Sequence, residues 1–206
     1  MPIIYFFGPD GSGKTSLARK LASTLSKKGY RVRISWMRGT HTLAFILSRI
    51  LCMFDTFRGC NSRMISIPAK MALVWRFIEF ISLMPVLLIR FVIPNLLGFW
   101  IVGERYIPDF VVWVAIIIND DNYMNRLESK ILLCLARKAA VNIYVTADVN
   151  KLSARSSEDI SFLTSQQRFY RALAETLKAY KVNTTHRSVE RSFQEVDSFI
   201  RLKQKS

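Results

Sequence analysis

The sequence predicts one α/β domain, a three-layer α/β/α arrangement around a five-stranded parallel sheet. Three observations point to it. Short apolar runs alternate with amphipathic stretches, the pattern of βα units whose strands lie in parallel and are covered on both faces. A glycine-rich loop joins the first such run to the first amphipathic stretch. The 206 residues, half of them hydrophobic, suit a single compact core. No internal repeat and no Pro-, Gly- or Ser-rich linker divides residues 1–206.

The elements follow in order. Ile3 to Phe7 is an apolar run ending at Gly8, a buried strand before a turn. Ser16 to Tyr30 reads as a helix, with Leu17, Leu21 and Leu25 four apart and Gly29 as terminator. Arg31 to Trp36 alternates and predicts a second strand. A helical stretch runs from about Thr42 to Phe54, and Arg58 to Ser66 reads as a polar loop. Met71 to Leu97 predicts a helix in which Pro85 and Pro94 are breaks or kinks. Phe99 to Gly103 is the third strand, with Glu104, Arg105 and Tyr106 at its C-terminal end. Asn122 to Arg137 is an amphipathic helix, Val141 to Val145 the fourth strand and Ser161 to Ala179 a further helix. Lys181 to Asn183 is a short fifth strand, and Glu190 to Leu202 closes the chain as a helix.

Composition excludes several classes. With 50% hydrophobic residues the chain is not disordered, and 8 Gly and 6 Pro exclude collagen-like and low-complexity chains. Cys52, Cys60 and Cys134 are scattered and odd in number, so three structural thiols in a reducing, cytoplasmic setting are expected. The N-terminus carries no signal-peptide pattern. The segment from Met71 to Asn119 is very apolar, but Arg76, Glu79, Arg90, Glu104, Arg105 and Asp109 interrupt it. Its longest uncharged run, Phe91 to Gly103, falls short of the ~20 residues of a spanning helix. Buried core is therefore expected, with peripheral membrane contact or a dimer interface left open. A net charge of +15 implies an anionic partner without naming it. No nucleic-acid-binding motif accompanies that charge. Neither His41 nor His186 has partners at metal-ligand spacing, so no zinc site is expected.

Gly8-Pro9-Asp10-Gly11-Ser12-Gly13-Lys14-Thr15 fits the phosphate-binding pattern G-x-x-x-x-G-K-[ST] without exception. Glycines admit positive φ and remove side chains, so backbone N–H groups can converge on phosphate oxygens. The following helix adds its positive dipole end. Lys14 supplies a point charge to the β- and γ-phosphates, and the Thr15 hydroxyl is placed to ligate Mg²⁺. The fold expectation thus narrows to the P-loop kinase type.

Asp10 is a carboxylate inside that loop, where repulsion from polyphosphate opposes it, so a second ligand offering a hydroxyl is expected beside it. Together with Val102-Gly103-Glu104-Arg105-Tyr106, the loop makes the chain resemble the thymidylate kinase family. The motifs are the family's F-x-G-x-D-G-x-G-K-T and its strand-terminal D-R-Y. Ile93-Pro94-Asn95-Leu96-Leu97-Gly98 and Tyr170-Arg171-Ala172-Leu173-Ala174 are weaker matches. The resemblance implies transfer of the ATP γ-phosphoryl to a nucleoside monophosphate, dTMP, with Mg²⁺, and a homodimer. It implies that Asp10 contacts the acceptor sugar, that Arg105 holds the acceptor phosphate beside Tyr106, and that Glu104 serves the metal with Thr15. Arg38 stands where the family places another phosphate-binding arginine, Arg76 where it has one that reads the base, and Arg155 where an arginine opens a lid near 150–160. Lys14, Glu104, Arg105 and Arg155 are then the expected catalytic set.

The bland readings compete at each position. Arg38 could be a surface charge, Arg76 could snorkel from a core helix, and Tyr106 could be core. The chain departs from the family pattern in having Glu104 for Asp, only Ser156-Ser157 between Arg155 and Glu158-Asp159, and a long apolar interval from Arg76 to Glu104. Two rival functions stay open: a P-loop protein that binds nucleotide to control attachment to a membrane or nucleic acid, and a kinase with another acceptor.

Overall fold

The structure is a computed structural model and describes residues 2–37, 39–53 and 67–205. Five parallel strands form one sheet in the order β2-β3-β1-β4-β5: β1 Ile3–Phe7, β2 Val32–Ser35, β3 Trp100–Glu104, β4 Ala140–Thr146 and β5 Tyr180–Asn183. β1 is central, with Ile3 opposite Ile101 of β3 on one side and Ala140 of β4 on the other. Its side chains alternate across the sheet. Ile3, Tyr5 and Phe7 join one core cluster, Ile4 and Phe6 the other. That period of two explains why the strand reads as an unbroken apolar run, for both faces are covered.

One face carries α1 Lys14–Lys27 and the closing helix, Val189–Lys205; Leu17, Leu21, Phe193 and Val196 fill that core. The other carries α2 Thr42–Leu51, α3 Ala72–Leu87, α5 Ile107–Ile117, α6 Leu127–Ala139 and α8 Ile160–Thr176; α4 Ile93–Leu96 continues α3, α7 Val149–Arg155 packs with Ala147 and Leu163 in a small third cluster, and the closing helix is α9. The three-layer α/β/α fold with a five-stranded parallel sheet is thus the one predicted.

Three differences have physical causes. The sequence reading leaves 107–117 unassigned, and these residues form α5. Nine of its residues are buried, so it carries no polar face and no 3.6-residue signature. Of the breaks or kinks expected at Pro85 and Pro94, no break occurs, and the helix runs from Ala72 to Leu96. It relaxes instead into a π turn at Leu88–Val92. Pro94 has no N–H for the carbonyl of Arg90; Ser35 Oγ supplies the missing bond, donating to that carbonyl at 2.8 Å. Finally, of the segment Met71 to Asn119 expected to be buried core, β3 and α5 are buried, but the helix Ala72–Leu96 is covered on one side only. Trp75, Leu83, Leu87 and Phe91 are buried, but a third of the helix's most apolar window is buried inside the fold.

Cys52 is disulfide-bonded, which corrects the expectation of three free thiols; Cys134 is free and exposed. Arg38 and the expected loop from Arg58 to Ser66 lie outside the described residues.

Candidate active site

β1 ends at the sheet's C-terminal edge, and the glycine loop turns there into α1. Gly8 has φ 145°, and a Cβ on it would stand 2.1 Å from the Val145 carbonyl oxygen of β4. At Gly11, φ is 77° and a Cβ would stand 2.7 Å from the Leu152 carbonyl of α7. The loop therefore lies against its neighbours as only glycine allows. Thr184, just past β5, holds it from behind, its Oγ1 donating to the Ser12 carbonyl at 2.9 Å. Lys14 is buried and folds back over the loop, donating from Nζ to the Pro9 carbonyl and to Ser12 Oγ.

Two contacts join the loop to the end of β3. Thr15 Oγ1 donates to Glu104 Oε1, so the hydroxyl and the carboxylate predicted for the metal meet at one point. Arg105 Nη2 donates to Asp10 Oδ1 and Nη1 to Asp109 Oδ1, the latter at 3.2 Å. Asp109 belongs to the first turn of α5. Its Oδ2 accepts from the Tyr106 backbone N–H, and its Oδ1 also accepts from the Tyr170 hydroxyl of α8 at 2.9 Å. Arg105 has φ 105°, unusual for a residue with a side chain. Its N–H donates to the Phe6 carbonyl at 3.1 Å, fixing that backbone to β1. Burial works against its charge, but Asp109, Tyr170 and Asp10 prevail and raise its pKa, so it is permanently a cation. Tyr106 is buried, and burial lifts its hydroxyl to about 12. Its ring packs between Tyr5 and Phe91.

Two cavities flank this assembly. The larger, about 650 Å³, is lined by Asp10, Gly11, Trp36, Trp113, Arg155 and Phe162 among others. The smaller, about 290 Å³, lies between the loop, Arg155, Thr184, Arg187 and the start of α9. Gly11 and Arg155 line both, so a ligand in each would approach the other across that point. Arg155 ends α7, within 3.5 Å of Thr184 Oγ1.

The structure thus brings together the loop, Thr15, Glu104, Arg105 and Arg155. It does not bring Arg76 to the cleft wall. Arg76 is buried, 3.1 Å from Glu128 and 3.7 Å from Asp120. Its helical neighbour Glu79 is fully buried; burial raises its carboxyl to about 8, against the opposing pull of Thr40 and Trp75. Trp113 joins that group to the cleft wall by donating from Nε1 to Thr40 Oγ1 at 3.3 Å. Sequence reasoning does not single out Asp109 as a site residue, nor Thr184 or Arg187. Asp109 left one signal, an acid inside an apolar stretch. The other two left none, since they act from a strand end distant in the chain.

No family model matches the sequence, and no curated protein is significantly similar to it. The fold and the loop define an α/β fold of the P-loop kinase type. Among solved structures, thymidylate kinase from Ehrlichia chaffeensis is similar over 97% of this chain and 98% of that one, with a TM-score of 0.58 and 14% identity. The chain therefore has the thymidylate kinase P-loop α/β fold.

Proposed function

We propose that the chain is an ATP- and Mg²⁺-dependent phosphotransferase whose acceptor is a nucleoside monophosphate, dTMP in the first instance. The observation that carries this reading is the meeting of Thr15 with Glu104 and of Arg105 with Asp10, at the edge where open α/β sheets bind ligands. ATP enters with its phosphates over the glycine loop and its nucleoside in the smaller cavity, beside Arg187. The acceptor occupies the larger cavity, where Trp36, Trp113 and Phe162 offer aromatic walls for a base.

Phosphoryl transfer of this kind rests on positioning and charge neutralisation. Lys14 leaves its contacts with Pro9 and Ser12 for the β- and γ-phosphates. Arg155, lining both cavities, neutralises the group in transit. Arg105 orients the acceptor, and Asp10 receives a sugar hydroxyl. Thr15 and Glu104 would hold Mg²⁺, a hard cation needing only one or two protein oxygens beside nucleotide phosphates; bound there, it would supply neutralisation of the phosphate charge. Residues 150–160, from α7 into the Ser156-Ser157 turn, act as a short lid on the single domain.

The pairing of Arg105 with both Asp10 and Asp109 favours a second reading. One cation is shared by two carboxylates, so a phosphate dianion meets less net attraction there than a lone arginine provides. A kinase with a less anionic acceptor fits that balance. An ADP-release assay across dTMP, dUMP, UMP, CMP, AMP and GMP tests the first reading, which predicts stimulation by dTMP. If no nucleotide raises ATP turnover above the bare rate, the nucleotide acceptor is wrong.

A further inference from the structure

We infer that the outward flank of α2, α3 and α4 is a docking surface for an anionic lipid bilayer, on which the protein lies peripherally. Most of the exposed large apolar side chains among the described residues fall between Ile34 and Leu97. On α3, the π turn and the segment after it, Leu73, Phe77, Ile81, Ile89, Ile93 and Leu97 recur at helical spacing and are each 41–64% exposed. α2 lies alongside, pinned by Thr42 Oγ1 donating to the Ser82 carbonyl and by the Ala44 N–H donating to Ser82 Oγ. It adds Phe45, Ile46 and Ile50, also exposed. A patch of this extent marks an interaction site.

Charge identifies the occupant. Arg31, Arg33, Arg49, Lys70 and Arg90 are exposed within or beside this region. From Arg31 to Gly103 the described residues hold one carboxylate, Glu79, and it is fully buried. Between residues 31 and 103 the surface therefore offers apolar side chains and cations with no exposed acid among the described residues. Two copies meeting through it would set these cations against one another, with no exposed carboxylate among the described residues 31–103 to pair them. An anionic bilayer answers both features: acyl chains receive the apolar flank and headgroups receive the cations.

The helix Ala72–Leu96 is long and apolar enough to span a membrane. Its inner side is committed to the fold, through Trp75, Leu83, Leu87, Phe91 and the bond from Ser35 to Arg90. Lying on the bilayer leaves that core intact, whereas spanning would strip it. Trp36 ties this surface to the cleft, for it is 44% exposed, lines the larger cavity, and has its carbonyl held by Arg90 at 2.8 Å. Docking therefore brings the mouth of the cleft to the lipid surface.

The inference does not rest on the kinase reading, and its test uses no nucleotide. The detergent-free full chain is mixed with vesicles of phosphatidylcholine alone, or with one third phosphatidylglycerol, and sedimented at low and high salt. Its oligomeric state is measured by analytical ultracentrifugation. Binding to the anionic vesicles, weakened by salt, is expected. Phe77→Glu and Ile81→Glu should each reduce it about tenfold or more, as should Arg49→Glu combined with Lys70→Glu. Circular dichroism checks that each variant is folded, and the double charge reversal leaves the apolar surface untouched. Absence of vesicle binding, equal binding to neutral and anionic vesicles, or a tight solution dimer that Phe77→Glu separates would each overturn the inference.

Discussion

Arg105 and Lys14 are both buried cations at the loop, and each substitution makes a testable prediction. Arg105 stands between Asp10 and Asp109. Replacing it by alanine leaves two carboxylates without their cation, an expected loss of about 3–5 kcal/mol. Arg105→Ala should therefore melt at markedly lower temperature and lose acceptor affinity together. Arg105→Lys keeps the charge without the planar fork, and should recover stability more than acceptor KM. Lys14 donates to the Pro9 carbonyl and to Ser12 Oγ of the loop. Lys14→Ala should abolish turnover; retained turnover would remove the loop from the chemistry. Glu79 carries a pH signature. Its carboxyl is raised from 4.5 to about 8 in the fold, mainly by burial, so the folded state holds a proton that the unfolded state releases. The associated stability is fully present below about pH 4.5 and is lost as pH rises to about 8. The slope is at most about 1.4 kcal/mol per pH unit. Glu79→Gln should flatten that decline in urea titrations run between these limits. An unchanged pH dependence would show that Glu79 is ionised in the fold. At this scale the sequence was legible where the residues are contiguous, as in the glycine loop. It was not legible for Asp109, whose partners Arg105, Tyr106 and Tyr170 come from the turn after β3 and from α8.

The helix from Ala72 to Leu96 shows how an element absorbs what its sequence forbids. Pro94 leaves the Arg90 carbonyl without its helical donor, the turn widens to a π turn, and Ser35 of β2 donates to that oxygen. One side chain thereby ties strand to helix. Ser35→Ala should cost about 1 kcal/mol in urea unfolding with an unchanged m value; no loss would mean that the carbonyl finds another donor. β1, β3 and β4 were legible because each is an apolar run, and β2 because its residues alternate. α1 and α9 were legible because each shows one apolar face and one polar face. α5 was not, since Phe110, Val111, Val112 and Val114 are all buried and no period survives. The bounds of Ala72–Leu96 were legible, but its burial was not. A local pattern reports how apolar a helix is, and only the tertiary fold decides which of its flanks remains uncovered.

For the whole molecule, the strand order sets β1 between β3 and β4, so the loop's own strand is flanked by the strands that end in Glu104 and Thr146. The site is consequently assembled by the sheet rather than by any one segment, and binding ATP should stabilise the entire fold. At a ligand concentration of about 100 times Kd the gain is about 2.7 kcal/mol. For a domain near this size that amounts to roughly 5–11 °C in Tm. The net charge of +15 acts on the same quantity with the opposite salt dependence. Self-repulsion among unpaired cations destabilises the compact state, and salt screens it as the Debye length falls from about 30 Å at 0.01 M to about 8 Å at 0.15 M. The Tm of the free protein should therefore rise with salt, while the increment caused by ATP and Mg²⁺ should shrink, because the same ions screen the loop's attraction for phosphate. Lys14→Ala divides the two effects: it should lose the ATP increment and keep the salt response of the free protein. Differential scanning calorimetry over that salt range measures both. An ATP increment that persists in Lys14→Ala would place nucleotide binding outside the glycine loop, and a free-protein Tm indifferent to salt would mean that the basic surface is already neutralised within the fold.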